Sequence, residues 1–344
     1  MRSRISLSDL THMASSLEDV IPHIRDSRIF ITGGTGFFGK WLLEAILFLN
    51  EKQCTNFEVV VLTRDPEKFK TKHPHFANRA IEYITGDIKN FDFPSGEFHY
   101  CIHAALEGEK LDKSDELEIF ESAYNGTKRV LEFAVQKKMR SLLYVSSGGV
   151  YGRQPPALRF MPEDYMGAPD ITQLRSCYGE GKRAGEFLCT YYGNKFALPV
   201  KIARCFAFIG PYLALDAHFA IGNLLNNCLK KEPMLIKGNG TPIRSYMYAA
   251  DLAVSLFKTL ILGDNLIPYN VGSMEEISIA ALAQKIGANF TPQPEIVIMQ
   301  KIQADPLPER YVPDTERFTA KFPATSTIGL DEAIKKTITF NQEE

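Results

Sequence analysis

Arg28-Ile-Phe-Ile-Thr-Gly33-Gly34-Thr35-Gly36-Phe37-Phe38-Gly39 decides the fold of this 344-residue chain. Residues 29–32 are a β-rich run, glycines fall at 33, 36 and 39, and the apolar run 40–49 has helical periodicity. The order is therefore strand, glycine turn, helix. Glycines permit a tight turn and close backbone approach, and the N-terminus of the following helix offers unpaired N–H groups and the positive end of a dipole to a pyrophosphate. Gly33, Thr35, Gly36, Phe37, Phe38 and Gly39 are thus candidate dinucleotide-binding residues, with NAD or NADP as the cofactor.

Working outward, the segments 58–63, 80–85, 100–105, 142–146 and 199–206 read as further strands, with helical patterns between most of them. That alternation predicts an α/β fold, a doubly wound parallel (Rossmann) sheet with a smaller, mostly C-terminal α/β substrate-binding region. Residues 1–26 are assigned to an N-terminal helical extension, 27–205 with 244–272 to the dinucleotide-binding part, and 206–243 with 273–344 to the substrate-binding part. In the extension, Leu7, Leu10, Met13, Leu17, Val20, Ile21 and Ile24 have helical spacing, which suits packing or a dimer contact.

With 39 basic and 41 acidic side chains the net charge is −2, so no basic field for nucleic acid or an anionic membrane is present. A small-molecule partner is expected. The six cysteines form no C-x-x-C pair and no cluster with histidine, so neither a metal site nor a disulfide framework is predicted, and a reducing cytoplasm fits. No apolar run is long enough to span a bilayer, and the N-terminus lacks the apolar core of a signal peptide.

The second strand ends Thr63-Arg64-Asp65, where an acidic residue would grip the ribose 2′-hydroxyl of NAD. Arg64 suits the 2′-phosphate of NADP, Asp65 still suits NAD, and the balance leans to NADP; alternatively both begin a surface loop. Gly86-Asp87-Ile88 suits adenine recognition, and Ala104 and Ala105 are small enough for the dinucleotide to approach the backbone. His103 reads as a packing histidine.

Chemistry enters through two segments. Tyr144-Val-Ser-Ser147-Gly-Gly-Val-Tyr151-Gly152 puts hydroxyls at the end of a strand, and Tyr178-Gly-Glu-Gly-Lys182 sets tyrosine and lysine one helical turn apart, on one face. A phenol with pKa near 10 is a poor base at neutral pH, but a nearby ammonium favours its phenolate. Ser147, Tyr178 and Lys182 then form an acid/base centre that moves a hydroxyl proton while a nicotinamide takes the hydride.

The combination of Thr32 to Gly39, Gly86-Asp87-Ile88, Asn125-Gly126-Thr127, Ser146-Ser147, Val150-Tyr151-Gly152, Tyr178-x-x-x-Lys182, Arg204, Gly210-Pro211 and Arg244-Ser-Tyr-Met-Tyr-x-x-Asp251 resembles the extended short-chain dehydrogenase/reductase family, the NAD-dependent epimerase/dehydratases of nucleotide sugars. The resemblance runs from about residue 27 to the end. It implies a Ser147/Tyr178/Lys182 triad, a retained dinucleotide contacted also by Asn125, and a homodimer formed through the helices near 115–137 and 179–193. It also implies that Arg244 contacts the diphosphate of a nucleotide sugar, the alternative being a salt bridge to Asp251.

Departures from the family pattern narrow the reaction. Where 4,6-dehydratases carry Asp-Glu, this chain has Gly148 and Gly149, which supply no proton-transfer group. The usual glutamate of the decarboxylases and the cysteine of the 3,5-epimerases are missing at Gly149 as well. Reversible oxidation at a sugar carbon survives, with 4-epimerisation expected; an NADPH-dependent 4-keto-reductase, an atypical 4,6-dehydratase and a non-catalytic dinucleotide-binding scaffold are the alternatives. Ala207 replaces the asparagine that meets the diphosphate in UDP-galactose 4-epimerases, and Ala304-Asp-Pro306 stands where many relatives place an arginine, for which Arg310 is the substitute. Phe219, in the 215–220 segment, either stacks on the nucleotide base or packs in the core. Glu163 and Asp164 lie near the expected sugar entrance and are read as a solvated loop.

Overall fold

Six short runs build most of a central sheet: β1 (Arg28–Thr32), β2 (Glu58–Thr63), β3 (Ile81–Thr85), β4 (Tyr100–His103), β5 (Ser141–Ser147) and β6 (Val200–Cys205). Along β1, β2, β4, β5 and β6 nearly every side chain is buried, as strands covered by helices on both faces require. The computed structural model describes residues 5–105, 115–217, 219–301, 308–323 and 327–342. Helices α1 (Leu7–Ser16) and α2 (Ile21–Ile24) precede the sheet, and α3 (Phe37–Gln53), α4 (Pro66–Lys72), α5 (Glu116–Gln136) and α6 (Cys177–Phe196) alternate with its strands. Then follow β7 (Phe208–Ile209), α7 (Ala220–Leu229), β8 (Met234–Ile236), β9 (Ile243–Arg244), β10 (Met247–Tyr248), α8 (Ala249–Leu262) and β11 (Pro268–Val271). The chain ends with β12 (Ile277–Ser278), α9 (Ile279–Gly287), β13 (Ile296–Ile298), β14 (Arg310–Tyr311), α10 (Glu316–Lys321) and α11 (Leu330–Gln342).

The seven-stranded sheet has the order β11-β6-β5-β4-β1-β2-β3, parallel throughout. The order in which strands are added reverses between β1 and β4, which opens a crevice at their carboxyl ends, the place where open α/β sheets bind ligands. The register sets Thr32 beside His103, His103 beside Tyr144, and Ser147 beside Cys205. All the strand-end residues singled out in the sequence therefore share one rim. The predicted strand 100–105 stops at His103, because Ala104 and Ala105 turn away toward the glycine loop; β5 instead runs one residue further, to Ser147.

Each sheet face has its own core. On one side Trp41, Leu43 and Ile46 of α3 meet Leu252 and Leu256 of α8. On the other, Phe133 of α5 and Leu188 of α6 pack over Phe30 and Leu142, with the Phe30 and Phe133 rings 4.8 Å apart. The N-terminal extension belongs to the first core. Ser6 caps α1 by accepting from the Asp9 amide, and Leu10, Met13, Leu17 and Ile24 are buried where α1 meets α3 and α8. A polar seam crosses that contact: His12 Nε2 lies 2.7 Å from the Asp251 carboxylate, and Asp9 takes the Tyr248 hydroxyl and the Lys336 ammonium, each at 2.9 Å. Asp251 is thus engaged away from Arg244, and the alternative salt bridge between those two does not form.

A small outer layer hangs over the rim. Its three-stranded sheet has the order β12-β9-β14, with Tyr311 beside Arg244 and Arg310 beside Ile243. Neighbouring residues in a strand face opposite ways, so Arg244 and Tyr311 share one face and Arg310 takes the other. Among the described residues no helix is long and apolar enough to cross a membrane, no group of side chains is arranged to hold a metal ion, and all six cysteines are free.

Candidate functional site

The glycine turn is shaped by close backbone approach. Gly33 has φ +74°, and a Cβ there would lie 2.4 Å from the Ala104 carbonyl oxygen; a Cβ on Gly39 would lie 2.3 Å from the Gly34 Cα. Only glycine fits either place. Gly36 is the N-cap of α3 and supplies no side-chain cap, so the first-turn amides keep their donors for a ligand. Phe37 is buried and Phe38 packs edge-on against Phe208 at 5.1 Å, so their rings are engaged in packing and a phosphate would be met by their backbone amides. This cradle fits the pyrophosphate of a dinucleotide.

Asp65 caps α4, its Oδ1 accepting from the Lys68 amide at 2.9 Å, so one of its two carboxylate oxygens is engaged locally. Arg64 is exposed beside it at the end of β2. Asp87 and Ile88 are half-buried after β3, with Asp87 Oδ1 accepting from the Lys89 amide. Ala104 is buried and Ala105 half-buried against the glycine turn, while Asn125 is exposed on α5. His103 is a packing residue, as expected: its ring nitrogens meet Thr32 Oγ1 at 2.7 Å and Thr127 Oγ1 at 3.0 Å. Burial, helped by the Lys182 charge, lowers its pKa to about 3 and keeps it neutral.

Ser147, Tyr178 and Lys182 are brought together. A Cβ built on Gly149 would lie 3.3 Å from Ser147 Oγ and 3.7 Å from Tyr178 Cδ1, so serine and tyrosine flank one spot. The Lys182 ammonium sits 5.8 Å from the centre of the Tyr178 ring and donates to the Val145 carbonyl at 2.8 Å. Burial lowers the Lys182 pKa to about 8, although Cys205, Cys189 and Glu186 pull it back upward. Beneath this group Glu186, one turn after Lys182, accepts from Ser146 Oγ at 2.6 Å and pairs with Arg204 at 2.7 Å. Arg204 also reaches the Tyr151 hydroxyl at 2.9 Å.

The outer layer modifies several expectations. Arg244 is three-quarters buried and ion-paired with Glu309 at 2.5 Å. Arg310 is tied to Glu276, which also takes Arg159 at 2.7 Å, on the face away from Tyr311, so it does not converge with Ser147 and cannot replace a missing site arginine there. Phe219 is half-buried at the start of α7. Glu163 is buried, not solvated: its carboxylate accepts from the Asn270 amide at 3.0 Å, while Asp164 is exposed as predicted. Ala304-Asp-Pro306 and His218 lie outside the described residues. Tyr311 was missed. Its ring lies tilted against Phe206 with ring centres 4.7 Å apart, and its hydroxyl occupies the place that a Cβ on Gly148 would approach to 2.7 Å. No motif surrounds it; the signal lies only in the pairing of β14 with β9.

Residues 29–272 match the model of the NAD dependent epimerase/dehydratase family. UDP-glucuronic acid decarboxylase 6 of Arabidopsis thaliana is 30% identical over 286 residues, covering 81% of this chain and 79% of that protein. UDP-glucuronic acid decarboxylase 1 of Danio rerio is 26% identical over 322 residues, covering 92% and 73%. Among solved structures, UDP-glucuronic acid 4-epimerase from Bacillus cereus in complex with NAD is similar with a TM-score of 0.76 at 23% identity, over 92% of this chain and 99% of the other. UDP-glucose 4-epimerase with UDP-glucose from Thermotoga maritima gives 0.76 at 19%, with the same coverage. At these identities the structural likeness establishes the fold.

Proposed function

The chain belongs to the NAD-dependent epimerase/dehydratase family, and from that premise we propose that it is an enzyme that oxidises one hydroxyl of a nucleotide sugar, at C4, and reduces the ketone again on its other face. NAD or NADP, when bound, would supply the hydride acceptor and donor; the first-turn amides of α3 would hold its pyrophosphate, and Asp87, Ile88, Ala104, Ala105 and Asn125 would contact the rest of it. Arg64, exposed at the end of β2, is the group placed to meet a 2′-phosphate, which favours NADP.

Tyr178 takes the hydroxyl proton. The Lys182 ammonium favours the phenolate, and Ser147 donates to the same substrate oxygen. Arg244 meets the diphosphate after leaving Glu309, and Phe219 lies against the base. The observation that carries this reading is the convergence of the Ser147 hydroxyl and the Tyr178 ring on the spot above Gly149, with the Lys182 ammonium 5.8 Å from that ring. Because Gly148 and Gly149 bear no acid or base, elimination of water is disfavoured relative to simple oxidation and return. Two copies pair through α5 and α6, where Leu117, Tyr124, Phe187 and Tyr191 are exposed. The chain works in a reducing cytoplasm.

A second reading, decarboxylation of UDP-glucuronic acid, is favoured by the 30% identical relative that bears that name. A C4 ketone is β to the C6 carboxylate, so carbon dioxide can leave once C4 is oxidised. The deciding experiment purifies the protein without added cofactor, identifies any dinucleotide released on denaturation by mass spectrometry, and follows UDP-glucose and UDP-glucuronic acid by NMR. Retained oxidised dinucleotide and conversion to the C4 epimer support epimerisation; a pentose product supports decarboxylation; an empty site that prefers NADPH supports the reductase alternative. Full turnover by Tyr178→Phe would refute the assigned chemistry.

A further inference from the structure

Tyr178, Lys182 and Glu186 recur every fourth residue of α6 and share one of its faces, while Ser146 and Arg204 are register neighbours on β5 and β6 and project together toward that face. Arg204 stands where these elements meet. Its Nε donates to Glu186 Oε1 at 2.9 Å and its Nη2 to Oε2 at 2.7 Å, and Ser146 Oγ donates to the same carboxylate at 2.6 Å. Its Nη1 donates to the Tyr151 hydroxyl at 2.9 Å and to the Glu163 carbonyl at 3.0 Å. Tyr151 closes the turn Gly148–Tyr151 that follows Ser147, and its hydroxyl donates in turn to Asn270 Oδ1 at 2.8 Å.

One guanidinium therefore holds three pieces of chain: the helix that carries Tyr178 and Lys182, the turn that continues from Ser147, and the loop at Glu163. The pair with Glu186 is bidentate, and the two side chains keep only 15% and 13% exposure, so a planar fork sets the geometry in a place largely closed to water. Lysine could supply the charge but not the fork. Beside the pair a cavity of about 280 Å³ opens to solvent, lined by Glu186 and Arg204 together with Arg183, Phe187 and Thr190 of α6. A small cation can reach the guanidinium position through it.

We propose, building on the assigned roles of Ser147, Tyr178 and Lys182, that Arg204 is the positioning residue of this centre: its fork clamps α6 to the turn after Ser147, so that the Tyr178 and Ser147 hydroxyls address one substrate oxygen. Arg204 moves no proton in the reaction. It acts through Glu186 and Tyr151. Without it the helix and the strand end lose their common reference, which slows the chemical step and leaves nucleotide affinity unchanged.

With UDP-glucuronic acid or UDP-glucose as probe, Arg204→Lys and Arg204→Ala should each lower kcat by about 100-fold, the cost of a misplacement on the order of 1 Å, with UDP affinity unchanged. Guanidinium chloride at about 20 mM, far below unfolding concentrations, should raise the Arg204→Ala rate at least about fivefold by way of the cavity, and sodium chloride at the same concentration should not. Tyr151→Phe, which cuts the arm to the turn, should cost about tenfold and add little to Arg204→Ala. A kcat within about twofold of wild type in Arg204→Lys, a loss confined to UDP affinity, or no selective rescue by guanidinium would overturn the proposal. If Arg204→Ala does not fold, the split between kcat and UDP affinity in Arg204→Lys decides. If the wild type acts on neither probe, the proposed substrates fail, and the clamp is judged separately by hydrogen exchange of wild type and Arg204→Lys. Faster exchange in the variant at both 148–152 and 178–186 supports it, and unchanged exchange at either segment refutes it.

Discussion

Replacing Lys182 with methionine is expected to stabilise the protein while ending its chemistry. The ammonium is only 2% exposed, and burial brings its pKa from the usual 10.5 to about 8. At roughly 1.4 kcal/mol per pH unit, the charged form is disfavoured in the folded state by about 3 kcal/mol. Methionine keeps most of the stem volume and removes that penalty, but it forfeits the hydrogen bond to the Val145 carbonyl, about 1–2 kcal/mol. A net gain of about 1–2 kcal/mol at pH 7 remains.

The pH dependence identifies the cause. Below about 8 lysine is protonated in both states and the penalty is complete; between about 8 and 10.5 the unfolded chain binds the extra proton, so wild-type stability rises with pH through that window. Lys182→Met lacks this term, and its advantage should shrink as pH rises from 7 toward about 10. Urea unfolding of both proteins at the two pH values measures the difference directly. A variant less stable than wild type by about 1 kcal/mol at pH 7, or an advantage unchanged with pH, would refute the reasoning. Turnover should fall by about two orders of magnitude or more, since Tyr178 loses the charge that favours its phenolate.

Gly33→Ala forces a side chain into φ +74° and within 2.4 Å of the Ala104 oxygen, so the turn must shift; dinucleotide retained on purification should fall at least about tenfold, and undiminished retention would count against the cradle. The His12 pKa is raised above 6.5, chiefly by its hydrogen bond to Asp251, so its stabilising contribution is fully present below 6.5 and is lost as pH rises through the folded value. His12→Ala should therefore cost about 1–2 kcal/mol below pH 6.5 and less in alkaline solution, measured by urea unfolding across that range. Glu309→Gln frees Arg244 from a half-exposed partner, and UDP affinity measured by calorimetry should rise about two- to fivefold, with unchanged or weaker binding speaking against a diphosphate role for Arg244.

The sheet and its rim were legible because their signals are local. Three glycines at fixed spacing and a tyrosine and lysine one turn apart each state their geometry within a few residues, and the parallel register then aligns the strand ends. The outer layer gave no such signal. Strands β9, β12 and β14 have two residues each, too short for an alternating pattern. Their pairing brings Tyr311 to Gly148 across more than 160 positions of sequence, so only tertiary structure reveals it. Glu163 was misjudged for a related reason. A carboxylate after a Pro-rich loop looks solvated until the Asn270 amide, from a strand far along the chain, is found to satisfy it.

Unequal legibility has a physical basis in how the work is divided. Ser147, Tyr178 and Lys182 need only one strand end and one helix, and Glu186 ties that pair together by accepting from Ser146 in β5 while standing on α6. In the proposed function, such a unit would serve proton transfer at many sugar carbons without change. The two glycines after Ser147 differ in their surroundings, with Tyr311 and Phe206 against Gly148 and Ser147 and Tyr178 beside Gly149. A Cβ at residue 149 would pass Ser147 Oγ at 3.3 Å and Tyr178 at 3.7 Å, whereas one at residue 148 would have to evict the Tyr311 hydroxyl. The two positions therefore differ in what a side chain would meet, a difference that no comparison of the two glycines as letters would reveal.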